Sequence, residues 1–157
     1  MGLADVHAHL THPKLLPEID AVVARAQAGG LTTIISNGLN PRDNQATLAL
    51  AVRHPIVKPA LGFYPVDTVL AEMVARGIDY PRDEEPVTTD EGVRFVRDHV
   101  DRAFAVGEIG LDGYWVPEAL WDKQEEAFRA LVTRQGGFAT HRQFMKAVVA
   151  INAEVDP

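Results

Sequence analysis

Short apolar runs, rich in β-branched residues, alternate along the chain with longer stretches whose apolar side chains recur at helical spacing. Gly2–Val6, Leu31–Ser36, Ile56–Gly62 and Phe104–Ile109 read as strands. Pro17–Ala28 places Ile19, Val22, Val23 and Ala26 at helical spacing, with Pro17 in the first turn and Gly29 and Gly30 at its end. Asn40 can cap a helix that begins at Pro41 and runs to about Arg53. Asp67–Arg76 reads as helical, and the proline-rich, charged stretch Ile78–Thr88 as a loop. Thr89 or Asp90 can cap the next helix, which runs to about Arg102. Pro117–Arg134 is long and amphipathic; a candidate fifth strand, Phe138–Thr140, and a further helix, Gln143–Ala153, follow it.

Alternation of this kind predicts an α/β chain, a parallel sheet flanked by helices. No glycine-rich phosphate loop follows the first strand, which argues against a dinucleotide-binding sheet and leaves the (β/α)8 TIM-barrel type. A complete barrel takes about 250 residues. At 157 residues the chain offers the first four to five βα units, read as a single partial barrel domain over residues 1–157. The sheet edge after the last unit would lie open, and a second copy of the chain could cover it.

Composition narrows the function. Hydrophobic residues make up 46% of the chain and charged residues 24%, an ordinary globular balance. The net charge of −7 argues against broad electrostatic capture of nucleic acid, so any such chemistry must rest on a local site. Cysteine is absent, which removes thiolate metal sites and cysteine nucleophiles. No apolar run approaches the roughly 18 to 20 residues of a membrane span. Met1–Val6 lacks the features of a signal peptide. A cytoplasmic location is the default expectation.

Two constellations carry candidate chemistry. In Asp5-Val6-His7-Ala8-His9, alternate residues of a strand share a face, so the two imidazoles can converge on one cation at the strand's C-terminal end. Asp5 lies on the same face and could orient a histidine or approach the metal itself. The plain alternative is a pair of histidines in an exposed turn. In Gly107-Glu108-Ile109-Gly110-Leu111-Asp112, a carboxylate ends an apolar strand, where burial is costly without a cation or a hydrogen-bond partner. The plain alternative there is a solvated turn.

These two segments resemble the leading signatures of the TatD family of metal-dependent hydrolases and deoxyribonucleases. Leu61-Gly62-Phe63-Tyr64-Pro65-Val66-Asp67 is similar to the family's Gly-x-His-Pro segment, with Tyr64 where many members have histidine. Trp121-Asp122-Lys123-Gln124-Glu125-Glu126-Ala127-Phe128 is similar to its Gln-x-x-x-Phe helix. The resemblance implies one or two divalent metals (Mg, Mn or Zn) and hydrolysis of DNA or a small phosphodiester by a metal-activated water. It implies His7 and His9 as ligands of a first metal, Glu108 as the catalytic carboxylate bridging two metals, and His141, in Thr140-His141-Arg142, as a further ligand. Tyr64 and Asp112 fall at substrate-binding positions.

The family's later histidine and its aspartate near the last strand have no counterpart before Pro157, so the expectation is a shortened member whose activity is open. The alternatives are a metal hydrolase of a non-nucleic-acid substrate, or a non-catalytic remnant that binds metal or oligomerises. Trp115 and Trp121 could stack a base, and Arg42 and Arg142 could contact phosphate. His12, His54 and His99 read as loop, helix-end and surface histidines.

Overall fold

Parallel pairing requires a crossover between successive strands, and the helices read from the sequence supply it. The computed structural model describes residues 2–82 and 84–133. Strands β1 (Leu3–Ala8), β2 (Leu31–Asn37), β3 (Val57–Leu61) and β4 (Ala105–Val106) form one parallel sheet in the order β1-β2-β3-β4. Helices α1 (Ile19–Ala28) and α2 (Pro41–Arg53) follow β1 and β2, α3 (Leu70–Ala75) and α4 (Thr89–His99) both lie between β3 and β4, and α5 (Trp121–Thr133) follows β4. The result is half of a (β/α)8 barrel. The expected fifth strand and last helix, with His141 and Arg142, lie outside the described residues.

Local chemistry accounts for the boundaries. The Asn40 side chain accepts the Asp43 amide at 3.0 Å and Pro41 opens α2, as expected. The cap of α4 is Thr88 rather than Thr89 or Asp90. Thr88 and Glu91 form a reciprocal capping box, while the Thr89 hydroxyl donates to the Thr68 carbonyl at 2.7 Å. Single 3-10 turns lead into α1, α3 and α5 at Leu16–Glu18, Asp67–Val69 and Glu118–Leu120. β4 is shorter than its apolar run, because the Phe104 and Gly107 amides bond the Pro59 and Leu61 carbonyls and the chain then leaves the sheet.

Three apolar clusters hold these elements. Leu10, Ile19, Val23, Ile34, Leu50 and Val57 join α1 and α2 to β2 and β3. Leu48, Leu61, Phe63, Val93, Val96, Ala127 and Leu131 pack α2, α4 and α5 beside β3. Val66, Val69, Met73, Val116 and Leu120 fill the space behind the loops that follow β3 and β4. Among the described residues β1 and β4 have no outer strand, and Leu3, Val6 and Phe104 are more than half exposed there. Among the described residues no helix is long and apolar enough to cross a membrane.

Candidate metal centre

Parallel strands deliver their C-terminal ends to one side of the sheet, which in barrels is the side that carries active sites. His7 and His9 arrive there from β1 and Glu108 from just beyond β4. The His7 and His9 Nε2 atoms lie 3.6 and 3.3 Å from the same Glu108 oxygen, Oε2. The two rings stand edge to face with centroids 5.1 Å apart. One donor atom from each of the three residues falls within 4.8 Å of the other two, a spacing that a single divalent ion can span. His9 Nδ1 meets the Asn37 carbonyl at 3.0 Å, so it carries the proton there and leaves Nε2 as the ligand atom. Two imidazoles and a carboxylate with one tautomer fixed fit a divalent cation. The side chains stay 55%, 33% and 29% exposed for His7, His9 and Glu108, which leaves the centre open to a substrate.

Hydrogen bonding to Glu108 raises the His9 pKa above the ordinary 6.5, against an opposing effect of burial. The same contact holds the Glu108 carboxyl below its usual range. A cation must therefore displace a proton from His9. Affinity is expected to rise with pH up to the elevated imidazole pKa and to level off above it. Calorimetry in buffers of different ionisation enthalpy should show close to one proton released per cation below that pKa. Proton-independent binding at about pH 6 would contradict this.

The remaining expected residues take distinct places. Asp5 does not join the cluster; its Oδ1 accepts the His7 amide at 3.0 Å and shapes the strand locally. Tyr64 follows β3, where burial and the adjacent Tyr80 hydroxyl push its pKa up to about 12, so it is a neutral donor. Asp112 Oδ1 accepts the amides of Tyr114, Trp115 and Val116 at 3.0, 2.7 and 3.3 Å and so builds the turn after the Glu108 segment. Trp121 donates its indole N–H to the Val116 carbonyl at 3.0 Å. His12 accepts the Lys14 amide within its loop, His54 faces Asp20 at 3.0 Å, and His99 stacks on Phe95. Arg42 is exposed on α2.

Over residues 4–134 the chain matches the family model described as TatD related DNase. The chain belongs to the TatD family. It is 28% identical over 140 residues to deoxyribonuclease TATDN3 of Homo sapiens, covering 86% of this chain and 47% of that protein. It is 31% identical over 129 residues to the 3'-5' ssDNA/RNA exonuclease TatD of Enterobacter lignolyticus, covering 80% of this chain and 42% of that one. The crystal structure of a TatD family hydrolase from Entamoeba histolytica superposes with a TM-score of 0.62 at 21% identity, over 83% of this chain and 44% of that one. The chain thus spans less than half the length of these relatives, and the structural likeness is one of fold.

Within this TatD chain the Gln-x-x-x-Phe helix has a physical purpose. Gln124 is buried, accepts the Asp112 amide at 2.8 Å and donates to the Pro65 carbonyl at 3.2 Å. One side chain on α5 therefore ties together the loops that follow β3 and β4. Gln124→Leu leaves both backbone groups unpaired and is expected to cost about 2–4 kcal/mol. Urea denaturation measures this, and a midpoint equal to wild type would count against the bridge.

Proposed function

We infer that the chain acts as a metal-dependent phosphodiesterase of deoxyribonuclease type on single-stranded nucleic acid. The observation that carries this reading is the convergence of His7 and His9 Nε2 on one oxygen of Glu108. The names borne by the relatives support the substrate class.

A divalent cation held by His7, His9 and Glu108 would polarise a phosphoryl oxygen and offset charge on the leaving oxygen. The chain's own groups prepare that site. Asn37 fixes the His9 tautomer. Glu108 stays ionised to low pH and supplies the negative charge that draws a cation in. Tyr64, neutral at ordinary pH, is a hydrogen-bond donor for a phosphate oxygen.

Native mass spectrometry with Mn, Mg or Zn, paired with cleavage of an end-labelled single-stranded oligonucleotide, tests the reading. Retention of at least one cation per chain, with cleavage that chelation stops and metal restores, is the expected result. A chain that retains no cation, or that cleaves equally in chelator, overturns it.

A further inference from the structure

Beside the metal centre, aromatic rings and one guanidinium form a continuous strip. The Asp112 turn holds Tyr114 and Trp115 edge to face at 5.0 Å, with 85% and 40% of their surfaces exposed. Trp115 meets Tyr80 edge to face at 5.5 Å. The Arg82 guanidinium lies 6.0 Å from the Tyr80 ring centroid and 5.1 Å from that of Tyr64. The strip therefore runs from the loop after β4, across the Ile78–Thr88 loop, to the loop after β3. It lies by the metal centre because Gly62, two residues before Tyr64, packs directly against the backbone of Glu108.

Two features point to a ligand. The first is the construction of the turn: three amides bonded to one carboxylate oxygen fix a segment that leaves the Tyr114 ring 85% exposed with the partly exposed Trp115 ring against it. Burial does not explain that placement, whereas a flat partner does. The second is the use Arg82 makes of its donors. Nη2 pairs with Asp67 Oδ2 at 2.8 Å and with Glu84 Oε1 at 3.3 Å. Among the described residues Nη1 and Nε make no bond, and the side chain remains 27% exposed. A partly exposed guanidinium anchored by one nitrogen, with two others unbonded and two aromatic rings within 6.0 Å, suits a phosphate between bases.

We propose that the strip Tyr64–Arg82–Tyr80–Trp115–Tyr114 is a subsite for one or two unstacked nucleotides of a single strand, with Trp115 and Tyr114 stacking on bases and Arg82 holding the adjoining phosphate. The proposal rests on the nuclease reading for its choice of ligand and names the part of the chain that would recognise it. Stacking suits an acidic protein, because every base has a π-face and the contact needs no general positive field. The salt dependence of binding should therefore be shallow, with a slope near −0.7 in log K against log salt for one phosphate contact on a single strand.

The test uses tryptophan fluorescence of the full chain in chelator, titrated with 5'-phosphorylated hexathymidylate or with an abasic strand of equal length. Hexathymidylate should quench Trp115, and the abasic strand should bind at least about 5-fold more weakly, the lower bound for one lost stack. Trp115→Leu should remove the quench while Trp121 still emits, and Tyr114→Ala should weaken binding by about 5-fold or more. Arg82→Gln would strand Asp67, so the phosphate contact is read in Asp67→Asn/Arg82→Gln against Asp67→Asn alone; the double variant should flatten the salt slope towards zero. Equal affinity for the two strands, or unchanged binding in Trp115→Leu, overturns the proposal. In metal-loaded protein Tyr114→Ala/Trp115→Leu should raise KM with little change in kcat. Quenching without any cleavage would sink the nuclease reading and leave the subsite standing. Cleavage with an unchanged KM in the double variant would sink the subsite and leave the nuclease reading standing.

Discussion

Replacing Glu108 with alanine is expected to weaken divalent-metal binding by more than about 100-fold and to end metal-dependent cleavage. Removing a group that merely orients a ligand costs about 10–100-fold in metal affinity, and Glu108 sits closer than that. Its Oε2 lies 3.6 and 3.3 Å from the two imidazole nitrogens and supplies the only carboxylate of the cluster among the described residues. Without it, two imidazoles from one strand remain, with no carboxylate within ligating distance among the described residues. The fold should survive, because the side chain is 29% exposed and lies beyond the end of β4. Glu108→Gln keeps the shape and loses the charge, so it should fall between alanine and wild type. Calorimetry of cation binding together with the melting temperature separates the outcomes. Unchanged affinity in Glu108→Ala would mean that the cation sits elsewhere; lost affinity with an unfolded chain would assign Glu108 a structural role instead.

The parts of this molecule that the sequence made legible are those written in periodicity and punctuation. His7 and His9 stand two apart on a strand, so their common direction follows from the pleat. Glu108 stands out because a charged residue ends an apolar run. Asn40 and Pro41 announce α2 through paired cap and first-turn chemistry, and the structure starts the helix there. The cap of α4 is expected at Thr89 or Asp90 and lies at Thr88, the one of the three with a glutamate three residues on to complete a capping box. The amides that hold the site were not legible. The Asn44 and Gln124 side chains bond backbone carbonyls 18 and 59 residues distant, and the Asn37 backbone carbonyl meets the His9 ring 28 residues away. Such partners leave no local pattern, because what matters is a carbonyl or an N–H that any residue would supply. Arg82 was hidden for a related reason. It sits in an irregular loop, and its value comes from Tyr64 and Asp67 in a different βα connection.

Gly62→Ala is expected to be the most damaging small substitution, costing about 3 kcal/mol and lowering metal affinity with it. Gly62 follows β3 where the chain crosses closest to the Glu108 segment. A Cβ built there would overlap the Gly107 carbonyl carbon and the amide and carbonyl of Glu108. Its own position is fixed as well: the buried Asn44 side chain donates to the Gly62 carbonyl at 2.7 Å and accepts its amide at 3.0 Å. Neither side can yield cheaply, since one is backbone and the other a buried amide bonded through both its nitrogen and its oxygen. Overpacking that side chains can absorb costs about 1–3 kcal/mol, so a clash with main chain belongs at the upper end. What the methyl would displace is the peptide that carries Glu108, whose amide bonds the Gly38 carbonyl at 3.2 Å. Stability and metal binding are therefore expected to fall together. Gly113→Ala is the internal comparison, because its Cβ would meet the Trp121 ring at an ordinary 3.6 Å. It should be near neutral in stability and in metal affinity. Urea midpoints and cation titrations on the two variants decide the matter: a Gly62→Ala chain as stable as Gly113→Ala would show that the loops after β3 and β4 part easily. Loss of stability with full cation affinity would show that Glu108 is positioned from its own side of the contact.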